Sequence, residues 1–169
     1  MSSELRVDTI KLANGNTATA SGLGIGGVGK IGQVVFSAFN TANVNTTSAS
    51  YVATGHIASI TPVATSSKIL VSLNMGDAFM SETTGNLGVR MYSNSSGSYA
   101  DVSGGGFRIR SAPNAINTGA GSLMIVHSPN STSSVSYQAY FNYDGSGNSV
   151  YYQNNGGFQT TITLMEVLA

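Results

Sequence analysis

Apolar and polar positions alternate with a period of two along most of this chain. Ile69, Val71, Leu73 and Met75 are interleaved with Leu70, Ser72 and Asn74, and Leu87, Val89 and Met91 with Gly88, Arg90 and Tyr92. Phe107 and Ile109 alternate with Arg108 and Arg110, the clearest in/out pattern of the sequence. Val135, Tyr137, Ala139, Phe141 and Tyr143 share one parity, while Ser136, Gln138, Tyr140 and Asn142 hold the other. In the closing run, Phe158 to Leu168, Ile162, Leu164 and Leu168 fall on one face. A strand turns successive side chains to opposite sides, so each run sets one side on a core and the other in water. Helical spacing of apolar residues, i, i+3, i+4 and i+7, is sustained nowhere, because Gly, Ser, Thr and Asn interrupt every candidate.

Turn-forming clusters separate these runs: Asn94-Ser95-Ser96-Gly97, Asp144-Gly145-Ser146-Gly147-Asn148 and Asn154-Asn155-Gly156-Gly157. Their Asn, Asp and Gly residues accept the positive φ that tight hairpins need. Roughly nine or ten strands, at about 8–12-residue spacing, predict an all-β fold: an antiparallel, jelly-roll-like β-sandwich over residues 31–169. Two different segments precede it. Residues 1–13 contain one strand-like stretch, Leu5 to Leu12, and residues 14–30 form a Gly/Ala/Thr-rich linker. A lone strand cannot bury its own apolar side. Leu5, Val7, Ile10 and Leu12 therefore predict an extended N-terminal arm that docks on another chain by strand addition or in a groove.

Composition narrows the function classes. Seven Lys and Arg balance seven Asp and Glu among 169 residues, so the formal net charge is zero and only 8% of positions are charged. A nucleic-acid partner is not expected, because phosphate binding needs a positive excess to release counterions. The hydrophobic fraction, 41%, is too high for an intrinsically disordered chain. No apolar run approaches the ~20 residues that cross a bilayer as a helix, so membrane insertion is not expected. The polar start, Met1-Ser2-Ser3-Glu4-Leu5-Arg6, lacks the apolar core of a secretory signal, which predicts synthesis in a cytosol. There are no cysteines, which removes disulfides and thiolate chemistry. A surface with no net charge does not repel copies of itself, and it favours association.

Candidate chemistry is sparse. Gly22-x-Gly24-x-x-Gly27 and Gly24-x-x-x-x-Gly29-Lys30 match dinucleotide and phosphate-loop patterns on paper. Such loops need a buried strand before them and a helix after, and Ile31 stands where a phosphate loop needs Ser or Thr. No nucleotide or other cofactor is expected. His56 and His127 are the only histidines and have no second ligand at metal-site spacing; His127 reads as a strand-end residue. Asp77 and Glu82 read as a solvated loop pair, and Glu166 as a partner for Arg90, Arg108 or Arg110 at a sheet edge. No catalytic residue is assigned and no enzyme is expected. Binding is left to aromatics in or beside loops: Tyr92, Tyr99, Tyr151, Tyr152 and Phe158, with Gln153, Asn154 and Asn155 alongside. Such rings stack on sugars or form subunit contacts.

Two segments also carry a resemblance. Leu5-Arg6-Val7-Asp8-Thr9-Ile10, followed by the Gly/Ala/Thr tether, resembles the start of virion structural and tail-fibre proteins of cyanobacterial and marine tailed bacteriophages. Gly32-Gln33-Val34-Val35, the Ser/Thr-rich Asn45–Ser50, Tyr51-Val52-Ala53-Thr54-Gly55, Ile60-Thr61-Pro62 and Thr65 to Val71 follow in the order of a β-sandwich module of phage fibres. The close, Thr163-Leu164-Met165-Glu166-Val167, is similar to the end of that module. The resemblance implies a non-enzymatic homotrimer of the virion, anchored by the arm to tail, baseplate or capsid proteins, with the sandwich outward. The chain has no fibrous shaft, so a short tail fibre that meets a host-surface glycan is the first expectation. A capsid decoration protein is the second, and a stand-alone glycan-binding module the third.

Overall fold

The computed structural model describes residues 30–80, 84–110, 117–146, 149–154 and 158–168, together with Lys11. The docking-arm residues Leu5, Val7, Ile10 and Leu12, and the linker up to residue 29, lie outside the described residues. Eleven strands are present among those described: β1 (Ile31–Phe39), β2 (Val44–Thr46), β3 (Val52–Ile60), β4 (Lys68–Met80), β5 (Thr84–Ser93), β6 (Ala100–Asp101), β7 (Phe107–Arg110), β8 (Asn117–His127), β9 (Val135–Ser146), β10 (Val150–Gln153) and β11 (Thr160–Val167). There is no helix among them.

Every strand pair is antiparallel and the strands fall into two sheets. One runs β1-β11-β4-β10-β2, with β8 on the far edge of β4; the other runs β3-β9-β5-β6, with β7 also on β5. Strands β10 and β11 lie end to end along one edge of β4, at Phe79–Met80 and Lys68–Asn74 respectively. Strands β2 and β1 extend them in the same way, and β6 and β7 share the free edge of β5. With each broken pair taken as one interrupted strand, eight remain, in the orders 1-8-3-6 and 2-7-4-5. That is the jelly-roll arrangement, with two Greek keys wrapped into a sandwich. The interruptions explain why eleven strands stand where nine or ten are expected.

The break between β10 and β11 has a visible cause. Gln153 is buried there; its Nε2 donates to the Phe158 carbonyl and its Oε1 accepts from the Thr160 hydroxyl at 2.6 Å. Opposite this kink, β4 slips register between Met75 and Ala78. Gly76 occupies the slip, where a Cβ would stand 2.6 Å from the Gln159 carbonyl oxygen. Only a residue without a side chain lets the two backbones approach that closely.

The core lies between the sheets and follows the alternation. Ile69, Val71, Leu73 and Met75 of β4, and Ile162 and Leu164 of β11, pack toward Leu87, Val89 and Met91 of β5 and Val135 to Tyr143 of β9. Two expectations need correction. Glu166 does not meet an arginine: it is buried on the inner side of β11, where its carboxylate accepts from Gln33 Nε2 and from the Val63 N–H, each at 2.7 Å. Arg90 is on β5 and Arg108 and Arg110 are on β7, strands of the other sheet, out of its reach. Asp77 lies within β4 and not in a loop, while Glu82 is outside the described residues.

Candidate functional site

The two outer faces of the sandwich differ in chemistry, and the second sheet carries the reactive one. Its inward parity is apolar, so the intervening residues of β5 and β9 point outward: Asn86, Gly88, Arg90 and Tyr92 beside Gln138, Tyr140, Asn142 and Asp144. Register places Arg90 opposite Tyr140 and Tyr92 opposite Gln138, with Asp101 of β6 next to Tyr92. The Tyr92 and Tyr140 rings stack with centroids 4.1 Å apart, and Tyr99 tilts against Tyr140 at 6.1 Å. Three tyrosines thus form one platform. Ring stacking of this kind contributes about 0.5–1.5 kcal/mol beyond the area it buries.

The platform is flanked by charges that are already matched. Arg90 Nη1 donates to Asp101 Oδ2 at 2.8 Å, and the Arg90 guanidinium stands 4.5 Å over the Tyr51 ring. Arg108 Nη1 donates to Asp144 Oδ2 at 3.0 Å across the sheet. Burial raises the Tyr92 hydroxyl above its ordinary pKa, and the Asp101 carboxylate adds to that, so the phenol is a neutral donor over the physiological range. Arg90 and Arg108 are thus each neutralised by a carboxylate, while Arg110 Nε donates to the neutral Asn86 Oδ1 at 3.3 Å. The face offers half-buried tyrosine rings and their hydroxyls, groups that can pack against a sugar ring and bond its hydroxyls.

Glycine shapes one end of this face. A Cβ on Gly88 would lie 2.3 Å from Asn142 Oδ1 and 2.7 Å from the Tyr51 hydroxyl. Its absence leaves room for Tyr51, at the end of the β2–β3 loop, to lie over β5 beside Arg90. The same loop is tied down where Asn142 Nδ2 donates to the Ala49 carbonyl at 2.8 Å and the Tyr143 N–H to the Ser48 carbonyl at 2.7 Å.

The five aromatics singled out by the sequence separate into three environments. Tyr92 and Tyr99 join the platform. Tyr151 lies on the opposite sheet, edge-on to Phe79 with centroids 5.5 Å apart, and Phe158 is exposed between β10 and β11. Tyr152 is no surface residue: it is fully buried, with its hydroxyl 3.0 Å from His56 Nδ1. The reason is strand parity, since Tyr151 and Tyr152 are neighbours in β10 and a strand cannot expose both. The platform residues not singled out were Tyr140, Arg90, Asp101 and Asn142. A signal existed for Tyr140, which shares the polar parity of Ser136, Gln138 and Asn142.

Both histidines are engaged by tyrosines. His56 Nε2 is 3.3 Å from the Ser37 carbonyl, which can only accept, so Nε2 carries the proton and Nδ1 accepts from Tyr152. The His56 ring also stacks on Phe39 at 4.8 Å. Burial lowers its pKa to about 4, against a smaller opposing effect of the Ser37 carbonyl. His127, the last residue of β8, lies 2.8 Å from the Tyr137 hydroxyl and is likewise lowered by burial. Among the described residues no three His, Asp or Glu side chains are grouped to hold a metal ion. No protein-family model matches the chain, and no curated protein matches it either.

Proposed function

We propose that this chain is a structural protein of a tailed-phage virion, a short tail fibre whose N-terminal arm anchors it and whose sandwich meets the host surface. The observation that carries the host-facing part is the Tyr92–Tyr140–Tyr99 platform between two self-matched ion pairs. An aromatic, hydrogen-bonding face on which Arg90 and Arg108 are already matched by carboxylates suits a surface carbohydrate better than a phosphate, a nucleic acid or a basic peptide. The anchoring part is supported by the spacing of Leu5, Val7, Ile10 and Leu12 and by the resemblance of the chain's opening to tail-fibre starts.

Purified tailed particles from cells that make this protein are expected to contain it in tens of copies. Hundreds of copies would make it a capsid decoration protein, and its absence from the particles would overturn the virion reading. In adsorption to host cells, Tyr92→Ala and Tyr140→Ala each remove one partner of the stack and are expected to weaken attachment about fivefold, as one lost contact of ~1 kcal/mol would. Unchanged attachment in both variants would exclude the platform as the contact.

A further inference from the structure

We infer that the outer face of the β1-β11-β4-β8 sheet is where copies of this chain bind one another. Register sets out the face row by row. Val34, Met165, Leu70 and Val126 stand side by side across four strands, an unbroken apolar row. The next row is Phe36, Thr163, Ser72 and Met124. These side chains take the parity opposite to the core, and those on the two outer strands are open to solvent: Val34 is 57% exposed, Phe36 62%, Met124 67% and Val126 63%, while Leu70 and Met165 between them are half-buried. Lys68, next to Val167 at one end, is the only charged side chain in these rows.

Four strands at about 4.8 Å spacing, over seven residues of about 3.4 Å rise, make a face of roughly 19 by 24 Å. The apolar part is its two middle rows, large apolar side chains interrupted only by Thr163 and Ser72, on the order of the few hundred Å² that a single soluble domain rarely leaves uncovered as one patch. The whole face, roughly 450 Å² in projection, is somewhat over half of the ~800 Å² of accessible surface that each partner gives to a standard interface, before side-chain relief is added. Two candidates could cover it. The chain's own arm, Leu5 to Leu12, laid down as one strand, is a ribbon about 4.8 Å wide and would cover about a quarter of the breadth. A second copy brings a matching sheet face, and face-to-face sheets pack at about 10 Å. Charge agrees with the second copy. A face without a charge pattern selects no oppositely charged partner, and a chain of zero net charge does not repel itself. The inference rests on the sandwich alone and stands or falls separately from the virion reading.

Sedimentation of the full-length chain tests it, with strand content followed by circular dichroism. Wild type is expected to sediment as a multiple of 17.3 kDa. Phe36→Glu and Met124→Glu, on opposite edge strands, are each expected to sediment as folded single chains, since a carboxylate in the contact would be buried unpaired. Should either fail to fold, Val126→Lys makes the same test from a third exposed position. Val7→Asp, which spoils the arm, is expected to leave the assembly intact. A single-chain wild type, assembly that survives the face substitutions, or dissociation caused by Val7→Asp would each overturn the inference.

Discussion

His56 shows how far a residue's surroundings can override its ordinary chemistry. Burial between Phe39 and Tyr152 holds the ring neutral and lowers its pKa to about 4. In the unfolded chain it would titrate near 6.5, so between those values the unfolded state binds the extra proton. Stability from this residue is therefore complete above about pH 6.5 and is lost as the pH falls toward 4, by on the order of 3 kcal/mol. Glu166 adds to acid sensitivity by another route. Burial alone would raise its pKa, but the hydrogen bonds that its carboxylate accepts, among them those from Gln33 and the Val63 N–H, outweigh it and hold the carboxyl below its usual range. Its contribution is present above the ordinary carboxylate range and is lost as pH falls through the lowered value. Melting temperature against pH checks this: His56→Phe is expected to flatten the fall between pH 6.5 and 4, and an unchanged slope would show that His56 is not the group responsible. At this scale the sequence reveals residue type but not company. Nothing in the spacing of His56 and Tyr152 indicates that they meet across the core, and Glu166 gives no sign that its partners are an amide and a backbone N–H.

At the scale of elements, alternation is informative because most strands have one drier and one wetter side, although Gln138 and Asn142, on the outward parity of β9, are themselves buried. Parity alone assigns Val135, Tyr137, Ala139, Phe141 and Tyr143 to the core and Tyr140 to the surface, as the structure has them. The same reasoning makes Leu164 a core residue of β11 and Thr163 an outward one. Leu164→Ala is accordingly expected to cost roughly 2–5 kcal/mol and Thr163→Ala within about 0.5 kcal/mol. Chemical denaturation of the two variants measures both, and equal midpoints would mean that the strand is read on the wrong side. What alternation does not give is pairing. Tyr92 and Tyr140 are far apart in sequence and become neighbours only because β5 pairs with β9. The break between β10 and β11 is equally hidden, since the Gln153–Thr160 bond and the close approach of Gly76 to Gln159 are made across strands.

The whole molecule has two unlike outer surfaces on one core. The tyrosine platform and its matched ion pairs lie on one sheet, and the apolar rows of Val34 and Phe36 lie on the other. Low charge, which in the composition signals a chain inclined to associate, thus acquires a location. The polar face is suited to neutral ligands and the apolar face to a second copy, so association need not compete with surface contact. Oxidative footprinting of the full-length protein at assembling concentration tests that division directly. Met124 and Met165, on the apolar face, are expected to be protected from oxidation relative to a dilute sample, while Tyr92 and Tyr99 react equally in both. Protection of the tyrosines with Met124 left open would contradict the division and reverse the assignment of the two faces.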